Sequence, residues 1–397
     1  MNADSKTVRA AWLGTLGLFL VHGLVFSTWI SRIPGVQVSL HLSNATLGLA
    51  LLGAAVGSIT SIPIAGMLVT KHGSRLVCVV STLCFCAALA GPGLALNFWS
   101  LFLALVALGA TAGVMDVAMN AQGVQVEERL GTPTMSRFHA MFSLGAMAGA
   151  GAGGAIAARH VPAGSHFLVA AVVLAILSIP ASLRLLESPS AASVPAMQRV
   201  RLRSMPSTLL ALSAIAFCIL LSEGAMADWT AVYLRQTFHA NPATAAAGFA
   251  AFSAAMATVR LLGDHITMRL GNMRTVRYGG LLAALGVTLA LVAPSAASAM
   301  PGFAAAGAGF SVIVPLVFGS AGRVAGVSAG AGIASVTGLG FIGFLVGPPA
   351  IGFTSQLITL RLALTIVVAL CLVTTALAGY VDPSPDDAVV GERLVRL

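Results

Sequence analysis

The chain reads as an all-α membrane protein with twelve transmembrane helices in two pseudo-symmetric six-helix bundles. Three observations predict this. Twelve apolar runs each reach the roughly 20 residues that a helix needs to cross a hydrocarbon core of about 30 Å. Only 8% of the 397 residues are charged while 58% are hydrophobic, and the mean hydropathy of +0.96 lies far outside the range of soluble domains. A basic segment around Arg199, Arg201 and Arg203 then divides the runs six and six. Inside lipid only helices and closed barrels satisfy their own backbone groups, and runs of this length are helices. A soluble enzyme is excluded.

The first run, Ala10 to Ile30, is too long for a signal peptide and lacks a small-residue cleavage site, so it reads as a retained helix over 10–31. The others are expected at 45–69, 75–95, 98–124, 137–158, 165–185, 207–235, 243–262, 275–294, 299–321, 327–353 and 359–380. Pro34, Pro162, Pro206, Pro242 and Pro294 punctuate the joints, and Ser43 or Asn44 caps the second helix. Asn44-Ala45-Thr46 spells a glycosylation acceptor but lies too near a helix start to be more than that cap. The expected organisation is a bundle over 1–187, a basic linker over 188–205, a second bundle over 206–381 and a short tail over 382–397.

Charge placement gives the orientation. Arg32, Arg159, Arg235 and Arg361 fall on one side, and the other 17 of the 21 Lys and Arg on the opposite side. Positive short loops stay cytoplasmic, so both termini, the linker and the loops with Lys71, Arg75, Arg269, Arg274 and Arg277 are expected inside. The formal charge of +9 is not gathered into a binding surface, so no nucleic-acid partner is expected. Cys78, Cys84, Cys86, Cys218 and Cys371 all lie in apolar runs without metal-ligand spacing, and serve as small packing residues.

The halves repeat weakly at a six-helix offset. Gly66 to Arg75, with Gly73 between them, answers Gly263, Asp264, Arg269 and Gly271; Trp29 answers Trp229, and Gly113 answers Gly309. These residues resemble the signature loop of the major facilitator superfamily, a glycine, an acid, a second glycine and basic residues, present here at the same loop of both halves. The first copy places Thr70 where the acid belongs; in the second, Asp264 follows Gly263 directly. The resemblance covers the whole chain and implies that Gly66, Gly73, Arg75, Gly263, Asp264, Arg269 and Gly271 support a conformational switch without touching solute. It also implies a multi-pass protein of the bacterial inner membrane.

An ionised carboxyl at mid-membrane costs about 2.5–3.5 kcal/mol on insertion scales, so one that resides there calls for a partner, a cavity or a proton. Asp116 lies in the fourth run with Asn120 four residues on, hence on the same helical face. Glu223 and Asp228 lie in the seventh run, the span densest in polar and aromatic residues. Asp116 and Glu223 are the expected proton carriers. Asn120, Trp29, Trp229, His22, His139 and Asp228 are the expected solute contacts: the amide by hydrogen bonding, the indoles by a flat apolar surface and the imidazoles by exchanging protons near neutral pH. Arg137 reads as a headgroup anchor. Gly347-Pro348-Pro349 suggests a hinge, while the other glycines read as close packing.

The Asp116 and Asn120 pair is similar to that of fucose-permease-like sugar and proton symporters, and Trp29, Arg32, Ile33 and Pro34 with Glu223 to Tyr233 are similar to the YbjJ-type bacterial branch. The acid those fucose transporters carry in the first helix is absent, Ser27, Thr28 and Trp29 standing there instead. The rival resemblance is to proton-antiport drug exporters, on the spaced glycines ending at Gly153-Gly154, but Ala150 stands where their proline belongs and Leu105 where their arginine does. A transporter-shaped sensor is a third reading. No P-loop, metal cluster or nucleophile triad is legible, so no enzyme, cofactor or metal is expected. The reading is secondary transport of a small polar, sugar-like solute by alternating access, coupled to protons as a symport, with protons, solute and the lipid bilayer as partners and a monomer as the unit.

Overall fold

The computed structural model describes residues 3–187 and 205–382. The linker arginines Arg199, Arg201 and Arg203 and the tail from 383 onward lie outside the described residues. Twelve helices long and apolar enough to cross a membrane are found among the described ones: α1 Ala3–Ser39, α2 Asn44–His72, α3 Ser74–Gly93, α4 Phe98–Leu130, α5 Met135–Ala158, α6 Ala163–Ser182, α7 Ser207–Phe238, α8 Pro242–Leu270, α9 Asn272–Val292, α10 Ala296–Ala321, α11 Ala329–Leu357 and α12 Leu360–Val381. The expected number and order hold.

Local chemistry repeats at the six-helix offset as plainly as the helices do. Ser43 starts α2 by accepting the Thr46 N–H at 3.2 Å, and Asn241 starts α8 by accepting that of Thr244 at 2.9 Å, with Pro242 just inside. Reciprocal capping boxes start α4 (Asn97 with Ser100) and α10 (Ser295 with Ser298). Between α2 and α3 the chain turns at Gly73 (φ 78°, ψ 152°), and between α8 and α9 at Gly271 (φ 78°, ψ 162°). Both occupy a region open almost only to glycine. Gly73→Ala is therefore expected to lower stability by about 1–3 kcal/mol, measured as thermal unfolding of the detergent-solubilised protein.

Packing follows the same symmetry. In the first half α1 lies against α5 and α6, and α2 against α4; in the second, α7 lies against α11 and α12, and α8 against α10. The halves meet where α5 packs on α8 and α2 on α11. Glycines allow the approach, since a Cβ on Gly57 would collide with the backbone of Val106 and one on Gly145 with that of Leu20. One predicted pairing shifts: Gly113 abuts Ser61 of α2, but Gly309 abuts α9 at Ala283, and it is Gly307 that abuts α8, at Phe252.

Helices α1 and α10 differ from the sequence reading. Helix α1 does not stop at Pro34 but runs through it to Ser39. Proline fits helical φ and removes one hydrogen bond, here to the carbonyl of Ile30, and α1 is enclosed by α5, α6 and α7, whose packing holds its continuation. Arg32 is consequently not a loop residue; it is 6% exposed inside α1. Helix α10 is interrupted between Phe310 and Ile313, which the apolar run did not reveal.

The halves touch closely at the end bearing the connections 40–43, 159–162, 239–241 and 358–359, here called the far end. There Asn44 and Gln236 exchange hydrogen bonds of 3.1 and 2.8 Å, Gly48 lies under the Pro348 carbonyl, and Gly154 under Ala246. Gly347-Pro348-Pro349, expected to act as a hinge, sits within the unbroken helix α11 and forms part of this contact. A Cβ on Gly48 would stand 2.5 Å from the Pro348 oxygen, so Gly48→Val is expected to keep the far end from closing. Faster thiol labelling of a cysteine placed by Gln236→Cys, against the same cysteine in the Gly48 background, checks this.

Candidate solute and proton site

The most connected charge within the bilayer region is Arg260 of α8, which lies ten residues, about 15 Å of helix, from Leu270. Its guanidinium reaches Glu223 of α7 at 3.7 Å, donates to the Ser311 carbonyl at 3.2 Å, and crosses to the first half to donate to Ser143 Oγ at 2.8 Å and to the His139 carbonyl at 3.5 Å. The break in α10 falls at Ser311, so the arginine docks where that helix exposes a carbonyl. The sequence reading places Arg260 at the inner end of an eighth helix expected to stop at 262 and groups it with the charges of that side. An arginine followed by Leu261 and Leu262, with Gly271 as the next helix stop, was the signal that could have found it.

Glu223 stands at the midpoint of α7, sixteen residues from Ser207 and fifteen from Phe238. Its side chain is 22% exposed and that of Arg260 12%. A desolvated pair of this kind is held by the remaining hydrogen bonds of the arginine, which stays charged under all conditions.

Asp116 belongs to the first half. Asn120 Nδ2 donates to its carboxylate at 3.2 Å and to its backbone carbonyl at 2.8 Å, as the four-residue spacing predicts. Trp99, Leu103 and Ala107 form the exposed stripe of α4. Asp116 is nine residues, two and a half turns, beyond Ala107 and therefore on the opposite side, yet it is half-buried. Its accessible face looks into the interior between helices. No hydrogen bond or ion pair joins Asp116 to Glu223 among the described residues.

The remaining expected contacts divide. His139 lies beside the Arg260 network and places its ring edge-on to Phe19 at 5.2 Å. His22, one turn further along α1, packs between Phe85 at 5.0 Å and Phe142 at 5.4 Å, with its Nδ1 buried and without a partner. Asp228 is half-buried. Both tryptophans correct the expectation of an exposed ring face: Trp229 is wholly buried, and Trp29 is 3% exposed and packs on Phe167. The indole N–H of Trp229 and the hydroxyl of Thr230 are both buried without a partner, an arrangement that costs about 1–3 kcal/mol for each such group.

The repeat residues mark the other end of the molecule, but only Gly73 and Gly271 form turns; Gly66 lies within α2 and Gly263, Asp264 and Arg269 within α8, which runs past the expected end at 262. Arg75 pairs with Glu187 at 2.7 Å, tying the start of α3 to the segment after α6. In the second half Asn272 donates to Asp382 at 2.8 Å and the Met273 N–H to the same carboxylate at 3.1 Å, tying α9 to the end of α12 in the same manner. Gly66 has open space around it, Gly263 faces Val312, and Asp264 and Arg269 are exposed. His, Cys, Asp and Glu form no metal-binding cluster among the described residues.

Comparison with known proteins agrees with this architecture. The chain is 35% identical over 362 residues to an uncharacterized transporter of Sinorhizobium fredii, covering 91% of this chain and 96% of that one. Its fold superposes on a nucleoside transporter, NupG, with a TM-score of 0.70 at 13% identity, covering 92% of this chain and 97% of the other. It superposes on FucP, a transporter of the major facilitator superfamily in its outward conformation, with a TM-score of 0.67 at 15% identity, covering 95% and 100%. Residues 14–330 match the family pattern of the Major Facilitator Superfamily. The chain belongs to that superfamily and is a membrane transporter of its type.

Proposed function

We propose that this transporter imports a small polar, sugar-like solute together with protons, as a monomer in the bacterial inner membrane, with both termini and the 188–205 linker on the cytoplasmic side between bundles 1–187 and 206–381. The observation that carries the reading is Glu223, paired at 3.7 Å with an arginine that also hydrogen-bonds the opposite half. A proton taken up by Glu223 removes its charge and frees N–H groups of Arg260, which then donate to an oxygen of the solute in place of the carboxylate. Proton and solute therefore occupy the site together, which is the logic of symport. Asp116, beside Asn120, is the second proton carrier, from the first half, and gradient-driven transport requires its protonation as well as that of Glu223. In this reading the closed far end faces outward, and rocking of the halves moves the site between the two sides.

Proton-antiport efflux rests on the spaced glycines of α5. Gly145, Gly149 and Gly153 lie against Leu20, Ser27 and Ser31 of α1, so helix packing already accounts for them, and import is favoured. In proteoliposomes with an imposed proton gradient, sugars and sugar analogues are expected to accumulate on the alkaline side. Accumulation of cationic drugs on the acidic side instead would overturn symport.

A further inference from the structure

The far end presents a cavity of about 240 Å³ between the halves, lined by Ser31, Arg32 and His160 from the first half and by Arg235 and Pro242 from the second. Arg32 is buried and donates from Nη2 to the Val161 carbonyl at 2.6 Å, but its Nη1 is also buried and has no partner. Arg235 donates to the Ala240 carbonyl at 3.1 Å. Neither Arg32 nor Arg235 forms an ion pair among the described residues, unlike Arg75 with Glu187 and Arg260 with Glu223. Beside this cavity a second, of about 390 Å³, shares Arg235 and adds His41 and Gln236.

The surroundings supply no acid. None of the 12 Asp and Glu falls in the connections 40–43, 159–162, 239–241 or 358–359, which instead hold His41, Arg159, His160 and His239, with Arg361 just beyond. Asp228, the carboxyl nearest in sequence, is seven residues before Arg235, about 10 Å along α7. The non-glycine residues with positive φ, namely His41 (52°), His160 (60°) and His239 (52°), all sit here. Each ends a helix in the left-handed conformation that histidine adopts more readily than most side chains. A buried guanidinium cannot shed its charge, and fixed donors in a cleft of one sign draw an anion. The volume lies below the roughly 300–1,000 Å³ typical of drug-sized ligands, which fits a small oxyanion.

We propose that this cavity binds the carboxylate or phosphate group of a small anion, bridged by Arg32 and Arg235 across the two halves, and that the bound anion holds the far end closed. The site is distinct from Glu223, twelve residues or about 18 Å along α7 from Arg235, and from Arg260, eighteen residues or about 27 Å along α8 from Pro242. Its test measures binding without transport, so its outcome is separate from that of proton coupling.

Thermal unfolding of the full chain in lipid-free detergent tests the idea with inorganic phosphate and glucuronate as probes, against chloride at equal ionic strength and against glucose. Phosphate and glucuronate are expected to raise the midpoint by about 2 °C or more, while chloride and glucose leave it unchanged. Arg32→Gln and Arg235→Gln should each lose the shift. Should the buried Arg32→Gln fail to fold, Arg32→Lys, which keeps the charge but not the fork, and Arg235→Gln on the accessible wall carry the test. A shift of the same size in Arg235→Gln, or no shift beyond chloride in the parent, overturns the proposal. Repeating the titration in nanodiscs identifies the source of the oxyanion. A phosphate response kept in phosphatidylcholine but abolished by phosphatidylglycerol assigns the site to lipid headgroups, and a response kept in both assigns it to a free solute.

Discussion

Glu223→Leu should destabilise the protein by about 3–5 kcal/mol, and Arg260→Met by distinctly less, although each removes one partner of the same pair. The asymmetry follows from proton chemistry. Deprived of Arg260, the Glu223 carboxyl can take a proton and become neutral, whereas Arg260 deprived of Glu223 remains a cation held by Ser143, Ser311 and His139 oxygens alone. The double variant, which leaves neither charge, should recover most of the lost stability, so the cycle gives a coupling of opposite sign to the single losses. Uptake should be lost in all three, because each lacks the exchange of carboxylate for solute oxygen. Glu223→Gln keeps shape and an acceptor for Arg260, and is expected to retain the fold while flattening the dependence of solute binding on pH. Thermal unfolding in detergent and solute binding across pH read these effects. Equal stability of Glu223→Leu and Arg260→Met would remove the pair from the energetic account, and a pH profile like that of the parent in Glu223→Gln would give Glu223 a structural role.

The legibility of this molecule differs by kind of interaction. Spans, caps and glycine turns depend on residues adjacent in sequence, so Ser43, Pro242, Gly73 and Gly271 stand where the chain text places them. Asp116 with Asn120 is a contact within one helix and was equally plain. The contacts of Arg260 span α5, α7, α8 and α10, and no local pattern announces them. The faces of α7 were also hidden. Apolar residues lie on every face of α7 among its few polar ones, so no single stripe says which way Trp229 points, and packing turns that indole into the core. Pro34 misled for a related reason: proline limits a helix in isolation, but a helix enclosed by others continues through it.

Asp116→Asn separates coupling from binding. The asparagine has the size of the protonated acid, and its oxygen can still accept from Asn120, so the pair survives with the charge removed. A solute moving with one proton under a gradient of one pH unit can be concentrated about tenfold, since one pKa unit and a tenfold ratio are the same roughly 1.4 kcal/mol. In Asp116→Asn the concentration ratio should fall to unity while exchange of labelled for unlabelled solute across the membrane continues, because reorientation of a permanently neutral site remains allowed. Loss of exchange along with accumulation would mean that Asp116 binds solute rather than carrying the proton. A ratio that stays near tenfold would leave Glu223 as the coupling carboxyl, with Asp116 and Asn120 reduced to a polar wall of the cavity. Because the two carboxyls lie in different halves and share no hydrogen bond, their variants should act independently on stability. Only transport, which needs both halves to move around the same solute, should reveal them as parts of one site.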